Sequence, residues 1–240
     1  MGDVHGERRR LEALLTMITA DIAADIAGDA DGLAAPSVLV FLGDYVDRGA
    51  ESRGVLDILC AMAMTAARGD GPVCRFLLGN HEAAMLAFIK DPVAGAGWLN
   101  FGGAETLASY GVTPSVGVVD RARCESLRDQ LLARLPPGHR AFLQSLESMV
   151  VLGDYLFVHA GIRPGIALEH QSQDDLLWIR EPFLSSRRDH GKVVVHGHTV
   201  VDQPLILANR ICIDTGAYDT GRLTALRLRG TDRHMIQTES

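Results

Sequence analysis

Five short runs of charged and metal-seeking residues, each set against an apolar stretch, limit what this chain can fold into. They are Gly2-Asp3-Val4-His5-Gly6, Gly43-Asp44-Tyr45-Val46-Asp47-Arg48-Gly49, Gly79-Asn80-His81-Glu82, His159-Ala160-Gly161 and His196-Gly197-His198-Thr199. Carboxylate, imidazole and amide donors scattered over a whole sequence can meet only if strands hold them and loops at the strand ends converge. Brought together, they would form the oxygen- and nitrogen-rich set that a two-metal hydrolytic site requires. Any one run alone is ordinary turn chemistry; the recurrence carries the information.

The runs extend from end to end of 240 residues, which favours a single domain over 1–240 with one substantial core. A formal charge of −7 argues against a protein that tracks a nucleic-acid backbone. Arg8-Arg9-Arg10 is the only tight basic run and reads as the wet face of a helix. Cys60, Cys74, Cys124 and Cys212 form no close pair, so they offer neither a zinc knuckle nor a disulfide framework. With no apolar leader and no membrane-length run, the expectation is a cytoplasmic protein with no membrane and no nucleic-acid partner.

Leu11, Leu14, Leu15, Ile18, Ile22 and Ile26 recur at helical spacing and predict a long amphipathic helix ending near Gly28. Asp29 to Pro36 reads as a small-residue connection, and Ser37 to Leu42 as a strand leading into Gly43-Asp44. Gly54 to Ala67 reads as a helix and Val73 to Leu78 as a buried strand delivering Gly79-Asn80-His81. A helical excursion follows at about 85–146. Leu146 to Val158 is expected to form a hairpin around Gly153-Asp154, and further strands are expected near 192–195, 205–207, 210–213 and 223–229. The order is a βαβαβ front half joined to a meander-rich back half: α/β, two packed sheets flanked by helices.

Asp3 and His5 can turn to the same side of their loop and offer one metal a carboxylate oxygen and an imidazole nitrogen. Asp44 can bridge to a second ion, whose shell Asn80, His159 and His198 would complete. The absence of thiolate suits two divalent ions, Mn²⁺, Fe or Zn²⁺, with manganese as the working expectation. Arg48 and Arg180 could grip phosphate oxygens. Asp47 could orient His81, giving a carboxylate–imidazole pair able to protonate a leaving alkoxide, while metal-held water supplies the attacking oxygen. His196 and His198 alternate along an extended segment, so only His198 is chosen as a ligand and His196 stays as a supporting group. His139, His170, His190 and His234 read as surface residues; Asp214 and Tyr218 could reach the site from the last loop, with turn-forming and packing the favoured roles.

These residues resemble the phosphoprotein phosphatase family of calcineurin-like metallophosphoesterases, in particular its bacterial and phage-type members. Gly2 to Gly6 is similar to the family's first motif, Gly43 to Gly49 to its second, Gly79 to Glu82 to its third, and the two histidine runs to its fourth and fifth. The resemblance implies a four-layer αββα sandwich and a dinuclear site. In it, Asp3, His5 and Asp44 hold one metal, and Asp44, Asn80, His159 and His198 hold the other. Arg48 and Arg180 bind phosphate, and His81 with Asp47 forms the acid pair. It also implies a strand before the first motif, yet only Met1 and Gly2 precede Asp3. The sheet is therefore expected to lack its first central strand, and the chain to be shortened at its amino end.

Three activities fit. The first is a metal-dependent phosphomonoesterase acting on phosphorylated serine, threonine or, as an alternative, tyrosine of a protein or peptide, a serine/threonine phosphatase in type, because Asp175-Leu176-Leu177-Trp178-Ile179-Arg180 and His196-Gly197-His198-Thr199 resemble that branch. The second is a hydrolase of diadenosine tetraphosphate or another nucleotide. The third, a non-catalytic binding scaffold, is disfavoured because no proposed ligand is missing.

Overall fold

The computed structural model describes residues 1–28, 37–113 and 120–239; the predicted connection Asp29 to Pro36 lies outside them. Helix α1 (Arg8–Gly28) lays Leu11, Leu14 and Ile18 into the core. Strand β1 (Val38–Phe41), helix α2 (Ser52–Arg68) and strand β2 (Val73–Phe76) form a parallel β–α–β unit, with Val38 opposite Val73 and Phe41 opposite Phe76. A parallel pair needs a long crossover, and α2 supplies it while burying Val55, Leu56 and Leu59. Helix α3 (Asn80–Lys90) starts four residues beyond β2, so the third run occupies a helix N-terminus at a strand end.

Next come a 3₁₀ turn (Ala96–Asn100) and helices α4 (Gly103–Ser109), α5 (Arg121–Arg134) and α6 (Pro137–Gln144). Strands β3 (Met149–Leu152) and β4 (Tyr155–Val158) form an antiparallel hairpin whose turn contains Gly153 at φ 55°. Helix α7 (Gln173–Trp178) is capped by Ser172, whose hydroxyl accepts from the Asp175 amide. Strands β5 (Val193–His196), β6 (Leu205–Ile206) and β7 (Arg210–Cys212), the single turn α8 (Ala217–Thr220) and strands β8 (Thr224–Arg229) and β9 (Asp232–Gln237) complete the chain.

The back half departs from a meander. Its five-stranded sheet has the order β3-β4-β5-β7-β6, and β4–β5 and β5–β7 are parallel. The continuous apolar run Val193-Val194-Val195, with Val194 and Val195 fully covered, is the pattern of a strand buried on both faces. The other sheet is assembled around the amino terminus. The Met1 amine donates to Val40 O (2.8 Å), Leu42 N donates to Met1 O (3.0 Å), and Gly2 N donates to Thr224 O (2.9 Å). Met1-Gly2 thus joins the β1–β2 pair to the β8–β9 hairpin.

One apolar cluster, including Val40, Leu42, Leu77, Val150, Val195 and Ile211, fills the space between the sheets. A second lies under α1, α2 and α3, and a third packs Leu176, Ile179 and Phe183 against Leu156 and Val194. The result is a four-layer sandwich, helix on sheet on sheet on helix. Beside Met1, a cavity of about 740 Å³ separates β1 from β8, walled by Ile18, Ile22, Val38, Phe157 and Leu226. Among the described residues, no helix is long and apolar enough to cross a membrane. All four cysteines are free.

Candidate metal centre

Among the described residues, the non-glycine positions with positive φ are His5 (46°), Asp44 (53°), Asp47 (73°), Arg48 (68°) and His198 (62°). All five are predicted site residues. Left-handed backbone at such residues costs on the order of 1–3 kcal/mol each and survives only where the surroundings over-determine it. Glu82 does much of this. Its buried carboxylate accepts from the amides of Asp44 (2.8 Å), Tyr45 (2.8 Å), Val46 (3.1 Å) and Gly79 (3.1 Å). The first loop is tied to the same segment, since Val4 N and His5 N both donate to Asp44 O. Gly79 is required there because a Cβ would lie 2.2 Å from Asp44 Oδ1.

Asp44 sits at the middle. Its Oδ2 lies 3.5 Å from His5 Nε2, 3.5 Å from His159 Nε2 and 4.0 Å from His81 Nε2. Two trios can each hold a cation: His5, Asp44 and His81, and Asp44, His159 and His198, with ligand atoms within 4.8 Å of one another. Asn80 Oδ1 is 2.8 Å from His159 Nε2 and 2.9 Å from His198 Nδ1, inside the second group. Asp3 reaches the cluster from the other side, its Oδ2 accepting from the His198 amide at 2.9 Å. The structure therefore gathers five of the six predicted ligands, His5, Asp44, Asn80, His159 and His198, in the two groups, with Asp3 beside them and His81 in its place in the first group.

The electrostatics suit cation binding. Burial pushes His5, His159 and His198 down to about 3, so each is a neutral nitrogen donor. The close approaches of His5 and His159 to Asp44 are accordingly lone pairs facing a carboxylate. His5 Nδ1 and His159 Nδ1 contact the carbonyls of Val46 (3.0 Å) and Leu42 (2.9 Å), which leaves each Nε2 turned inward as an acceptor. Burial, then Asp214 and Asp44, hold Asp3 well above the usual carboxylate range. Asp3 Oδ1 and His198 Nε2 are buried without a hydrogen-bond partner. A buried carboxylate oxygen left unpaired beside neutral imidazoles fits a site built for a cation.

His81 and Asp47 form a buried pair, Nδ1 to Oδ2 2.7 Å. Burial alone would lower His81, but Asp44 and Asp47 outweigh it and its pKa lies above the ordinary histidine value. Asp47 also accepts from Trp98 Nε1 (2.8 Å) and Thr106 Oγ1 (2.6 Å). Arg48 is exposed, with Nη2 3.5 Å from His81 Nε2 and its guanidinium carbon 4.5 Å from the Tyr218 ring centroid. Arg180 is exposed beyond α7, and its positive charge is felt at His198.

Some sequence expectations are corrected. His139 is buried, not superficial: Tyr110 Oη and Asp57 Oδ1 flank its two ring nitrogens at 2.8 and 2.9 Å. Of the two roles open to Tyr218, the structure favours the one at the site, its ring edge-on to His5 at 5.3 Å. Asp214 is buried beside Asp3 and also accepts from Gly216 N. His196 turns away, its Nε2 3.3 Å from Arg210 Nη1. Trp98, Phe101 and Thr106 escaped the sequence reading altogether. The only signal near them is Gly102-Gly103, where Gly102 (φ 108°) presses on Asp47 and Arg48.

A sequence model of calcineurin-like phosphoesterases matches residues 1–229. Bis(5'-nucleosyl)-tetraphosphatase PrpE (asymmetrical) of Geobacillus thermodenitrificans is 27% identical to this chain, covering 95% of it and 88% of the relative. Serine/threonine-protein phosphatase 2 of Salmonella typhimurium is 25% identical, covering 95% and 91%. Among solved structures, a protein designated a candidate diadenosine tetraphosphatase superposes with a TM-score of 0.65 at 20% identity, over 98% of this chain and 90% of that one. At that identity the likeness concerns the fold.

Proposed function

The chain belongs to the calcineurin-like phosphoesterase family, and on that premise we propose that it is a dinuclear metal-dependent phosphomonoesterase acting on phosphorylated serine or threonine side chains of a protein or peptide in the cytoplasm. The observation that carries the reading is Asp44, a single carboxylate shared by two groups, with the neutral His5 in one and the neutral His159 and His198 in the other. Asp3, His5 and Asp44 would hold one divalent ion, and Asp44, Asn80, His159 and His198 the other, with manganese the first choice. When bound, the ions supply Lewis acidity and a water of lowered pKa.

The chain's own residues do the rest. Arg48 and Arg180 neutralise phosphate oxygens and fix the group for in-line displacement. His81 gives its Nε2 proton to the leaving oxygen, and Asp47, held by Trp98 and Thr106, keeps that imidazole charged and oriented. The protein-directed reading is supported by similarity to the Salmonella phosphatase. A second reading, hydrolysis of dinucleoside tetraphosphates, is favoured by the similarity to the Geobacillus protein.

Metal-reconstituted protein assayed in parallel on phosphoseryl and phosphothreonyl peptides and on diadenosine tetraphosphate decides between them. Peptide turnover is expected, and cleavage of the dinucleotide alone would overturn the choice. His81→Asn should lower kcat on peptides by about 100-fold or more, the range for a lost general acid. A metal-free wild type that stays inactive with added Mn²⁺ would return the scaffold reading.

A further inference from the structure

Between α7 and β5 the chain makes no helix or strand, yet this stretch carries Arg180. It is held from elsewhere. Asn209, at the entry to β7, donates through Nδ2 to Ser186 O (3.0 Å) and Arg188 O (2.9 Å). Its neighbour Arg210 donates through Nη2 to Leu184 O (3.0 Å). Leu184 N in turn donates to Arg180 O at 2.9 Å, so one residue links the Arg210 guanidinium to the backbone of Arg180. Phe183 anchors the same stretch, its ring fully buried against Gly161, where no larger side chain would fit.

Arg210 is a costly occupant of its position. It is 6% exposed, on the face of β7 opposite to Ile211, which points into the space between the sheets. No carboxylate pairs with it among the described residues, and its Nε is buried without a partner. A buried cation without an anion weakens a fold, and an apolar residue would be the stabilising choice there. What the guanidinium supplies is reach. Its Nη2 holds the Arg180 stretch, and its Nη1 lies 3.3 Å from Nε2 of His196, two residues before His198. Both contacts lead to the second ligand group, where the charge of Arg180 is felt.

We propose that Asn209 and Arg210 are positioning residues, a clamp on β7 that fixes Arg180 at the second ligand group and so sets the affinity of the site for phosphate. This rests on the reading of Arg180 as a phosphate-binding residue. A guanidinium grips phosphate well only when its backbone is already in place, because an unanchored loop loses conformational freedom each time it binds. The three carbonyls held by the clamp, those of Leu184, Ser186 and Arg188, remove that cost in advance. The Arg180 side chain itself stays exposed to meet the phosphate. The Asn209 amide touches this stretch alone, whereas Arg210 also touches His196, so the two residues separate an effect on the loop from an effect on the ligands.

Calorimetry of orthophosphate binding to the metal-loaded protein is the direct test. Asn209→Ala and Arg210→Gln should each weaken binding by roughly 3- to 10-fold, the range of a lost hydrogen bond, and raise KM on a phosphoseryl peptide more than they lower kcat. In an Arg180→Ala background the loss from Asn209→Ala should vanish, since the clamp then has nothing to position. Trypsin acting on metal-free protein should nick at the exposed Arg187 and Arg188 faster in Asn209→Ala than in the wild type. Unchanged phosphate affinity, equal nicking, or a loss of the same size with and without Arg180 would overturn the clamp. So would a parallel fall in the Mn²⁺ affinity of Asn209→Ala, which would place the effect in the ligand groups. Should Arg210→Gln fail to fold, Asn209→Ala carries the decision. If orthophosphate binding shows the expected losses while no peptide is cleaved, the phosphomonoesterase reading falls and the clamp stands.

Discussion

Glu82 shows how much a single side chain can carry without touching a substrate. Burial and the neighbouring Asp44 push its carboxyl up to about 8, against the pull of the backbone amides it accepts from. Those amides belong to Gly79 and to Asp44, Tyr45 and Val46, the stretch that must adopt left-handed backbone at Asp44. Glu82→Gln puts an NH₂ group against amide donors, and we expect a loss of about 1–3 kcal/mol in urea unfolding, together with weaker Mn²⁺ binding by calorimetry. Unchanged stability and affinity would show that the loop holds itself. The sequence announces Glu82 only as a neighbour of His81; its role depends on contacts 36–38 residues away. The proposed ligands are easier to read, because aspartate, asparagine and histidine at the ends of apolar runs are chemically conspicuous. Trp98 and Thr106 are not conspicuous: both look like ordinary helix-region residues until the chain brings them onto Asp47.

At the level of elements, periodicity identifies α1, α2 and the strands that end in site loops, because their apolar faces are continuous. It does not identify β9, where Asp232, Arg233 and His234 are exposed and Ile236 is the buried hydrophobe. It places α6 within the helical excursion but misjudges its exposure, since His139 reads as a surface residue although Tyr110 and Asp57 enclose its ring. That enclosure has a pH signature. Burial lowers His139 below 6.5, with Asp57 opposing, so the folded protein holds this ring neutral while the unfolded chain takes up a proton. Its contribution is complete above 6.5 and declines as the pH falls below that value. Thermal melts between pH 8 and 5 should therefore show a shallower acid loss for His139→Gln than for the wild type. Parallel profiles would remove His139 from the account.

For the molecule as a whole, the weak place is the cavity between β1 and β8. Met1 and Gly2 hold the two halves of that sheet together by three hydrogen bonds, and the space beyond them is walled by apolar side chains from α1, β1, β8 and the facing sheet. At about 3.3 Å per residue, a strand of about five residues would run the length of β1. We expect an apolar extension of that size ahead of Met1 to raise Tm by about 5 °C or more and to slow metal loss to a chelator. A glycine–serine extension of equal length serves as the control, and equal melting of the two would mean that the cavity is not strand-receptive.

Asp3 accepts its hydrogen bond from His198, 195 positions later in the chain. During synthesis the first of these emerges long before its counterpart exists. The nascent polypeptide therefore carries an open half-site until the segment bearing His198 leaves the ribosome.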